Sequence, residues 1–151
     1  MLLTTSGTTG SPKLVRHKYG NIEIIAQIVA NVFGWNTTER GICDLPMQYT
    51  MGLNVINSHL YAGATVLLLS NHLLSPLFWN FIKEQRGTNF TGVPYSYEIL
   101  KKMKFTQMDL PYLKTMAEGG GKLSNSLFEY FSKYASDNGK RFFATFGTTE
   151  T

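Results

Sequence analysis

The sequence predicts an α/β fold in which βα units build a mostly parallel sheet. Three observations support this prediction: short β-rich runs alternate with helical patterns, glycines or prolines separate the two, and the run at 65–69 is apolar enough for a strand buried on both faces. The alternation is interrupted at both ends of the 151 residues. We therefore expect the chain to be an incomplete piece of a larger domain.

The first half of the chain predicts two helices and two strands. Apolar residues recur at helical spacing through residues 22–33, and Gly34 is placed to end this helix. A short strand at 42–45 then ends at Pro46, which has no N–H to donate to a sheet. The elements expected next are a helix at 54–61, a turn at Gly63 and the strand at 65–69.

Two cap signals place helices in the second half. Ser75 and Pro76 are typical of a cap and a first helical turn, and Gly87 ends that helix. Ser126 and Glu129 have the spacing of a capping box, which predicts another helix beginning at Ser126. The other elements predicted are strands at 89–93, 114–118 and 141–146 and a short helix around 99–103.

Composition argues against several classes of protein. The net charge is +4, but the 14 basic residues are dispersed among 10 acidic ones, which disfavours a nucleic-acid-binding surface. No apolar run approaches the ~18 residues of a membrane-spanning helix, and the N-terminus lacks the features of a signal peptide. We therefore expect a cytoplasmic protein without a membrane span. The histidines lack metal-ligand spacing and are interpreted as structural or surface residues: His17, His59 and His72.

The most informative segment, here called the N-terminal turn (residues 5–13), is rich in hydroxyl groups. Its candidate phosphate-binding residues are Thr5, Ser6, Gly7, Thr8, Thr9, Gly10 and Lys13. We expect it to follow a strand and precede a helix, where glycines allow close backbone approach and amide groups form an anion-binding concavity. The Walker spacing is absent, because Ser11 and Pro12 precede the lysine. On these grounds a polyphosphate site and a solvent-exposed turn are about equally supported.

A second candidate, the C-terminal turn (residues 146–150), follows the last predicted strand. Phe146 before Gly147 could stack on a base, and the hydroxyl of Thr148 or Thr149 could contact a phosphate oxygen. Glu150 could hold Mg²⁺, which prefers carboxylate and phosphate oxygens. Ligands of open α/β sheets bind at the carboxyl ends of strands, so the position favours function. When this segment is considered alone, a simple turn with a core aromatic residue explains it better than a ligand-binding site does.

Two further segments follow predicted strands. The glycine turn, which consists of Gly119, Gly120 and Gly121, would let a flat ligand lie against bare backbone, although a tight turn explains it almost as well. Tyr49 could gate a pocket, although a core position is the better explanation.

Together these segments resemble the adenylate-forming superfamily, which comprises acyl- and aryl-CoA ligases, luciferases and nonribosomal peptide adenylation domains. The N-terminal turn resembles its phosphate-loop signature, and the C-terminal turn its aromatic-Gly-x-Thr-Glu signature. Pro46, Tyr49 and Gly52 are similar to its aromatic gate, and the glycine turn to its adenine-side segment. The resemblance implies that residues 1–151 are a partial AMP-binding (adenylation) domain, truncated at both ends. It would be a fragment of a two-sheet large domain whose first sheet ends near Pro46.

The resemblance also implies a role for each matched residue. The N-terminal turn would close over the β- and γ-phosphates of ATP, Phe146 would stack on adenine, and the glycine turn would lie beside it. Thr149 would contact the α-phosphate, and Glu150 would hold Mg²⁺. These two would be the catalytic residues. The substrate pocket would include Tyr49 and Gly52.

The reaction implied is attack of a small carboxylic acid on the α-phosphorus of ATP, followed by transfer of the acyl group to a thiol. That thiol would be CoA or the phosphopantetheine of an acyl carrier protein. Aliphatic, aryl and amino acid substrates all stay open, and the chain alone is expected to be inactive. A nonenzymatic nucleotide-binding or interaction module is the alternative. An unrelated phosphate-binding domain such as a kinase is disfavoured by the absent Walker spacing.

Overall fold

The structure, a computed structural model, describes residues 1–5, 13–69 and 71–150. The strands are β1 (Leu2–Thr4), β2 (Leu14–Arg16), β3 (Arg40–Cys43), β4 (Thr65–Leu68), β5 (Asn89–Gly92), β6 (Thr115–Glu118) and β7 (Arg141–Ala144). The helices are α1 (Tyr19–Phe33), α2 (Thr50–Tyr61), α3 (Pro76–Glu84), α4 (Pro94–Lys102) and α5 (Asn125–Asp137), with a 3-10 turn at Phe105–Gln107. This alternation confirms the predicted α/β class. Across the described ranges, no helix is long and apolar enough to cross a bilayer.

Strands β3 to β7 form a parallel sheet in the order β4-β3-β5-β6-β7. The chain passes from β3 to the edge strand β4 and then returns to pair β5 on the other side of β3. Helices α1 and α2 pack on one face of this sheet, and α3, α4 and α5 on the other. In open α/β sheets, ligands bind outside the carboxyl ends of the strands where the strand order reverses. Here that point is the end of β3 and β5.

The larger core lies on the face covered by α3, α4 and α5. Ile42, Phe90 and Met116, from three neighbouring strands, are each at most 2% exposed. The hydroxyl of the buried Tyr97 donates to the carbonyl of Ala117 at 2.8 Å, so the only polar side-chain atom of this ring is satisfied. The expectation that the strand at 65–69 is buried on both faces is wrong, because β4 lies at the edge of the sheet and Leu68 is 59% exposed.

A buried polar network fixes the amino ends of β3 and β5. His59 on α2 places Nδ1 2.7 Å from the carbonyl of Val55 and Nε2 3.0 Å from Oδ1 of Asn89. Asn89 in turn donates to the carboxylate of Glu39 at 3.0 Å. A Cβ atom on Gly41 would overlap the imidazole, so this glycine makes room for the ring. The structural interpretation of His59 is therefore confirmed, and burial lowers the pKa of its imidazole.

The N-terminal turn joins two strands, whereas the sequence predicted a strand followed directly by a helix. β1 and β2 pair antiparallel with Leu3 opposite Val15, and α1 begins only at Tyr19. The strand-to-helix prediction is wrong because the two ends of the turn are joined by backbone hydrogen bonds, as in a hairpin. The N–H of Thr5 donates to the carbonyl of Lys13 at 2.9 Å. Residues 6–12, and with them Ser6, Gly7, Thr8, Thr9 and Gly10, lie outside the described residues.

The boundary between the sheets also differs from the expectation. β3 pairs with both β4 and β5, so the five-stranded sheet begins before Pro46 and not after it. β3 ends at Cys43, two residues before the predicted end, and α2 begins at Thr50 rather than at residue 54.

Helix α5 begins at a different serine from the predicted one. The N-cap is Ser124, whose hydroxyl accepts from the N–H of Leu127 at 3.4 Å, and Ser126 lies inside the first turn. Both serines offer a suitable oxygen, so local sequence does not distinguish them. Burial of Leu123 and Leu127 on either side of Ser124 selects the earlier cap.

Candidate functional site

A cavity of about 1040 Å³ lies at the carboxyl edge of the five-stranded sheet. Segments that follow β3 and β7 line it, together with the described ends of the N-terminal turn, and helices α1 and α2 form one wall. The predicted site residues that line it are Thr5, Lys13, Tyr49, Gly52, Gly120, Phe146, Gly147, Thr148, Thr149 and Glu150. The fold therefore brings the described residues of both signature turns to one cavity, although 130 or more residues separate them in sequence.

The C-terminal turn presents its side chains to this cavity. Phe146 is 95% exposed, so its ring faces are available to a flat ligand. The hydroxyl of Thr149 lies 3.5 Å from that of Thr50, which ties the turn to the first residue of α2. The N–H of Glu150 donates to the hydroxyl of Thr148 at 3.3 Å, and the Glu150 residue is exposed. This arrangement leaves the Glu150 carboxylate exposed at the cavity, where a ligand with phosphate oxygens and a divalent cation would meet it.

The base of the N-terminal turn places a cation at the same cavity. Thr5 and Lys13 are held side by side, since the Lys13 N–H donates to the Thr5 hydroxyl at 3.4 Å. Both residues line the cavity. Lys13 and Glu150 are the charged side chains among the lining residues that the structure describes, which suits a ligand carrying both phosphate groups and a divalent cation.

The glycine turn is only partly accessible. Gly120 lines the cavity and has a φ of +80°, a conformation that glycine adopts without strain. A Cβ atom on Gly119 would overlap Met51 and Thr145, and one on Gly121 would lie 3.1 Å from Pro94. Gly119 is therefore packed against protein, Gly121 is exposed, and neither lines the cavity.

Tyr49 and Gly52 lie at the start of α2. Tyr49 is the N-cap residue, and it is 49% exposed at the cavity. Gly52 is buried where the helix approaches the chain that leaves β3. A Cβ atom there would overlap the carbonyl oxygen of Pro46 and lie 2.8 Å from that of Leu45. The absence of a side chain lets α2 begin directly beneath the cavity.

Thr145 is a residue of the site that sequence reasoning missed. Its N–H and its hydroxyl both donate to the carbonyl of Glu118, at 2.7 and 2.8 Å. It thereby joins the C-terminal turn to the start of the glycine turn. The available sequence signal was a threonine at the end of a strand, directly before Phe146. The sequence does not show that its hydroxyl bonds to the carbonyl of Glu118, because this contact depends on the pairing of β6 with β7.

Two buried carboxyl groups beside the site were also missed. Asp44 follows β3 and Glu118 ends β6, and Oδ1 of the first and Oε1 of the second have no hydrogen-bond partner among the described residues. Burial raises the pKa of Asp44 from its ordinary value of 3.8 to about 6, and it also raises the pKa of Glu118. Neither residue lines the cavity, so we expect these carboxyls to affect mainly the stability of the folded protein.

Replacing Asp44 by Asn is expected to stabilise the protein above pH 6. Because the folded-state pKa is raised, the contribution of Asp44 to stability is full below about pH 4 and is lost as the pH rises through about 6. We expect D44N to be more stable by about 1–2 kcal/mol at pH 7.5, which is less than the full shift implies because the residue is partly exposed. Urea unfolding between pH 4 and 7.5 measures this. The exposed Asp109→Asn is the control, and an unchanged pH dependence in D44N would contradict the prediction.

Comparisons with known proteins agree with this geometry. The chain is 27% identical to acyl-CoA synthetase ALT10 of Alternaria alternata, covering 100% of the chain and 26% of that protein. It is 32% identical to 4-coumarate–CoA ligase-like 8 of Arabidopsis thaliana, covering 88% of the chain and 25% of that protein. The chain spans about a quarter of the length of these curated relatives.

A solved structure has the same fold. O-succinylbenzoate coenzyme A synthetase from Bacillus subtilis, solved with ATP and magnesium ion, superposes with a TM-score of 0.81 at 27% identity, over 99% of this chain and 30% of that one. The family model for AMP-binding enzymes matches residues 1–151. With described residues of both signature turns at one cavity and a family match over its whole length, the chain belongs to the AMP-binding enzyme family, as its resemblance to the adenylate-forming superfamily implied.

Proposed function

We propose that this chain is the nucleotide-binding central segment of an ATP-dependent ligase that activates a carboxylic acid. The observation that carries the proposal is that described residues of both signature turns line one cavity in a member of the AMP-binding family. Relatives that are named acyl-CoA synthetase and 4-coumarate–CoA ligase-like support it, as does the fold shared with a synthetase solved with ATP and magnesium ion.

The proposal gives each group at the cavity a task. Thr5 and Lys13, with Ser6, Gly7, Thr8, Thr9 and Gly10 between them, would bind the β- and γ-phosphates of ATP. The exposed ring of Phe146 would stack on adenine, with the glycine turn alongside it. Thr149, tied to α2 through Thr50, would bind the α-phosphate. Tyr49 and Gly52 would border the acyl group where it meets the nucleotide.

The donor set at the cavity fits Mg²⁺. This cation is usually held by one or two carboxylates together with substrate phosphates, and Glu150 offers one exposed carboxylate beside the hydroxyls of Thr148 and Thr149. Bound there, the cation would neutralise charge on the phosphate oxygens. Glu150 would be the residue that holds it.

The proposed reaction has two steps. A carboxylate oxygen of the substrate attacks the α-phosphorus, the bond to the bridging oxygen breaks, and pyrophosphate leaves. A thiolate then attacks the acyl carbonyl and releases AMP, with CoA or carrier-protein phosphopantetheine as the thiol. The substrate supplies the nucleophile, so the chain would contribute positioning and charge neutralisation.

The proposal includes the organisation of the whole protein. Residues 1–151 would form part of one AMP-binding domain, truncated at both ends, in a cytoplasmic protein. The chain alone would then lack groups needed for catalysis. This agrees with the fact that its curated relatives are about four times longer.

Carboxylate-dependent release of pyrophosphate from ATP tests the proposal. We expect release by the complete protein that contains this chain when it is given a panel of carboxylic acids and Mg²⁺, and no release by residues 1–151 alone. Binding of ATP without pyrophosphate release across the whole panel would instead favour a nonenzymatic nucleotide-binding module.

A further inference from the structure

The C-terminal turn leaves the sheet at Thr145. Strand β7 ends at Ala144, which pairs with Glu118, and the N–H of Thr145 makes one further bond to the carbonyl of Glu118 at 2.7 Å. The next residue, Phe146, is 95% exposed, so packing within the described chain does not hold its ring. The position of this ring relative to β6 is therefore set, on the strand side, by how Thr145 is held.

The side chain of Thr145 makes a second bond to the same acceptor. Its hydroxyl donates to the carbonyl of Glu118 at 2.8 Å, beside the bond from its own N–H. A carbonyl oxygen has two lone pairs and can accept both donors. Thr145 is half-buried and lines the cavity. The hydroxyl therefore holds the end of β7 against the end of β6 one residue beyond the last pair of the ladder.

The same hydroxyl lies over the start of the glycine turn. A Cβ atom on Gly119 would overlap Oγ1 of Thr145 and the terminal methyl group of Met51. The N–H of Gly119 donates to the carbonyl of Gly92 at 3.1 Å, which ties this point to β5. The next residue, Gly120, reaches the cavity. The turn that borders the cavity thus begins in contact with the hydroxyl of Thr145.

We propose that Thr145 is a positioning residue for the nucleotide, because its hydroxyl fixes the separation between the Phe146 ring and the glycine turn. This inference rests on the proposed function, in which Phe146 stacks on adenine beside that turn. Phe146 follows Thr145 directly, and Gly120 is two residues after Glu118, so the bond between the hydroxyl and the carbonyl lies at the base of the space for adenine. A ring already held at the right separation binds the base with less loss of conformational freedom.

Three variants of Thr145 in the complete protein test the inference. T145S keeps the donor, T145A removes it, and T145V replaces it with a methyl group that cannot approach a carbonyl oxygen so closely. We expect the Kd for ATP, measured by calorimetry, to rise about 5- to 10-fold in T145A and at least as much in T145V. T145S should stay within about twofold of the unsubstituted protein.

Thr106→Val is the matched control. Thr106 is also half-buried, and its hydroxyl lies 2.9 Å from that of Tyr130, outside the cavity lining. T106V thus removes a hydrogen-bonded hydroxyl of similar burial, and the Kd for ATP should not change. Equal Kd values in T145S, T145A and T145V would overturn the inference, as would the same weakening in T106V as in T145A.

A double-mutant cycle with Phe146 separates positioning from general stabilisation. We expect F146A to weaken ATP about 10- to 100-fold, and T145A to add less than about twofold in that background, because the ring that it positions is absent. The same fold effect of T145A with and without Phe146 would overturn the inference. ATP binding without pyrophosphate release from any acid would contradict the proposed ligase and leave the inference standing. Absence of ATP binding by the unsubstituted protein would overturn both.

Discussion

Replacing Glu150 by Gln is expected to lower kcat for pyrophosphate release about 100- to 1000-fold in the complete protein. Glu150 is the carboxylate among the described lining residues of the cavity, so the amide would weaken the hold on Mg²⁺ where phosphate charge must be neutralised. The loss should be smaller at high Mg²⁺ concentration, because mass action partly restores occupancy. Pyrophosphate release at saturating ATP, measured over a range of Mg²⁺ concentrations, checks both expectations.

The control for this variant is Glu129→Gln. Glu129 lies on the exposed face of α5 and outside the cavity, so E129Q removes the same charge without touching the site. Because Glu150 is also exposed, both variants should unfold at the temperature of the unsubstituted protein. Activity of E150Q within threefold of E129Q would show that Glu150 does not have the proposed role.

Replacing Gly52 by Ala is expected to destabilise the chain by about 3 kcal/mol, through steric overlap alone. The added Cβ would overlap the carbonyl oxygen of Pro46, and this backbone cannot move without shifting α2 away from β3. Since α2 also carries Tyr49 at its N-cap and Thr50 beside Thr149, the mouth of the cavity should open as well. Urea unfolding gives the free-energy change, and the KM for ATP reports the effect on the site.

Gly20→Ala is the matched control. Gly20 lies in the first turn of α1, and a Cβ there meets nothing within 4 Å. Alanine in a helix is favoured over glycine by roughly 0.5–1 kcal/mol, so G20A should be neutral or slightly stabilising. If G52A were as stable as G20A, the close approach of α2 to Pro46 would not exist in the folded protein.

Many of the helices and strands could be predicted because the sequence patterns that specify them are local. Helical spacing and Gly34 give α1 correctly, and the N–H of Gly34, at a φ of +71°, donates to the carbonyls of Ala30 and Asn31. The apolar run at 65–69 gives β4 to within one residue. The C-terminal turn was placed after a strand of the parallel sheet, where ligands of such sheets bind. The N-terminal turn lies on the separate antiparallel pair of β1 and β2, so the position of Thr5 and Lys13 at the same cavity does not follow from the parallel sheet.

The remainder depends on contacts between distant residues. β2 is too short to be recognised without its partner β1, and Ser124 and Ser126 offer equivalent hydroxyls until the core selects one. The role of Thr145 requires β6 beside β7, and the unpaired carboxyls of Asp44 and Glu118 are defined by what surrounds them. Sequence patterns report which residues alternate or repeat, and they carry little information about the partner that a side chain meets.

The fit between Gly41 and His59 has a consequence for how this family diverges. The imidazole fills the space that a side chain at position 41 would need, so position 41 cannot gain a side chain while His59 is present. A lineage that acquired alanine at 41 would first need a smaller residue at 59, and Asn89 would then lose a neighbour. We expect homologues to vary at 41 and 59 together, so that aligned sequences would show correlated substitution between a strand and a helix.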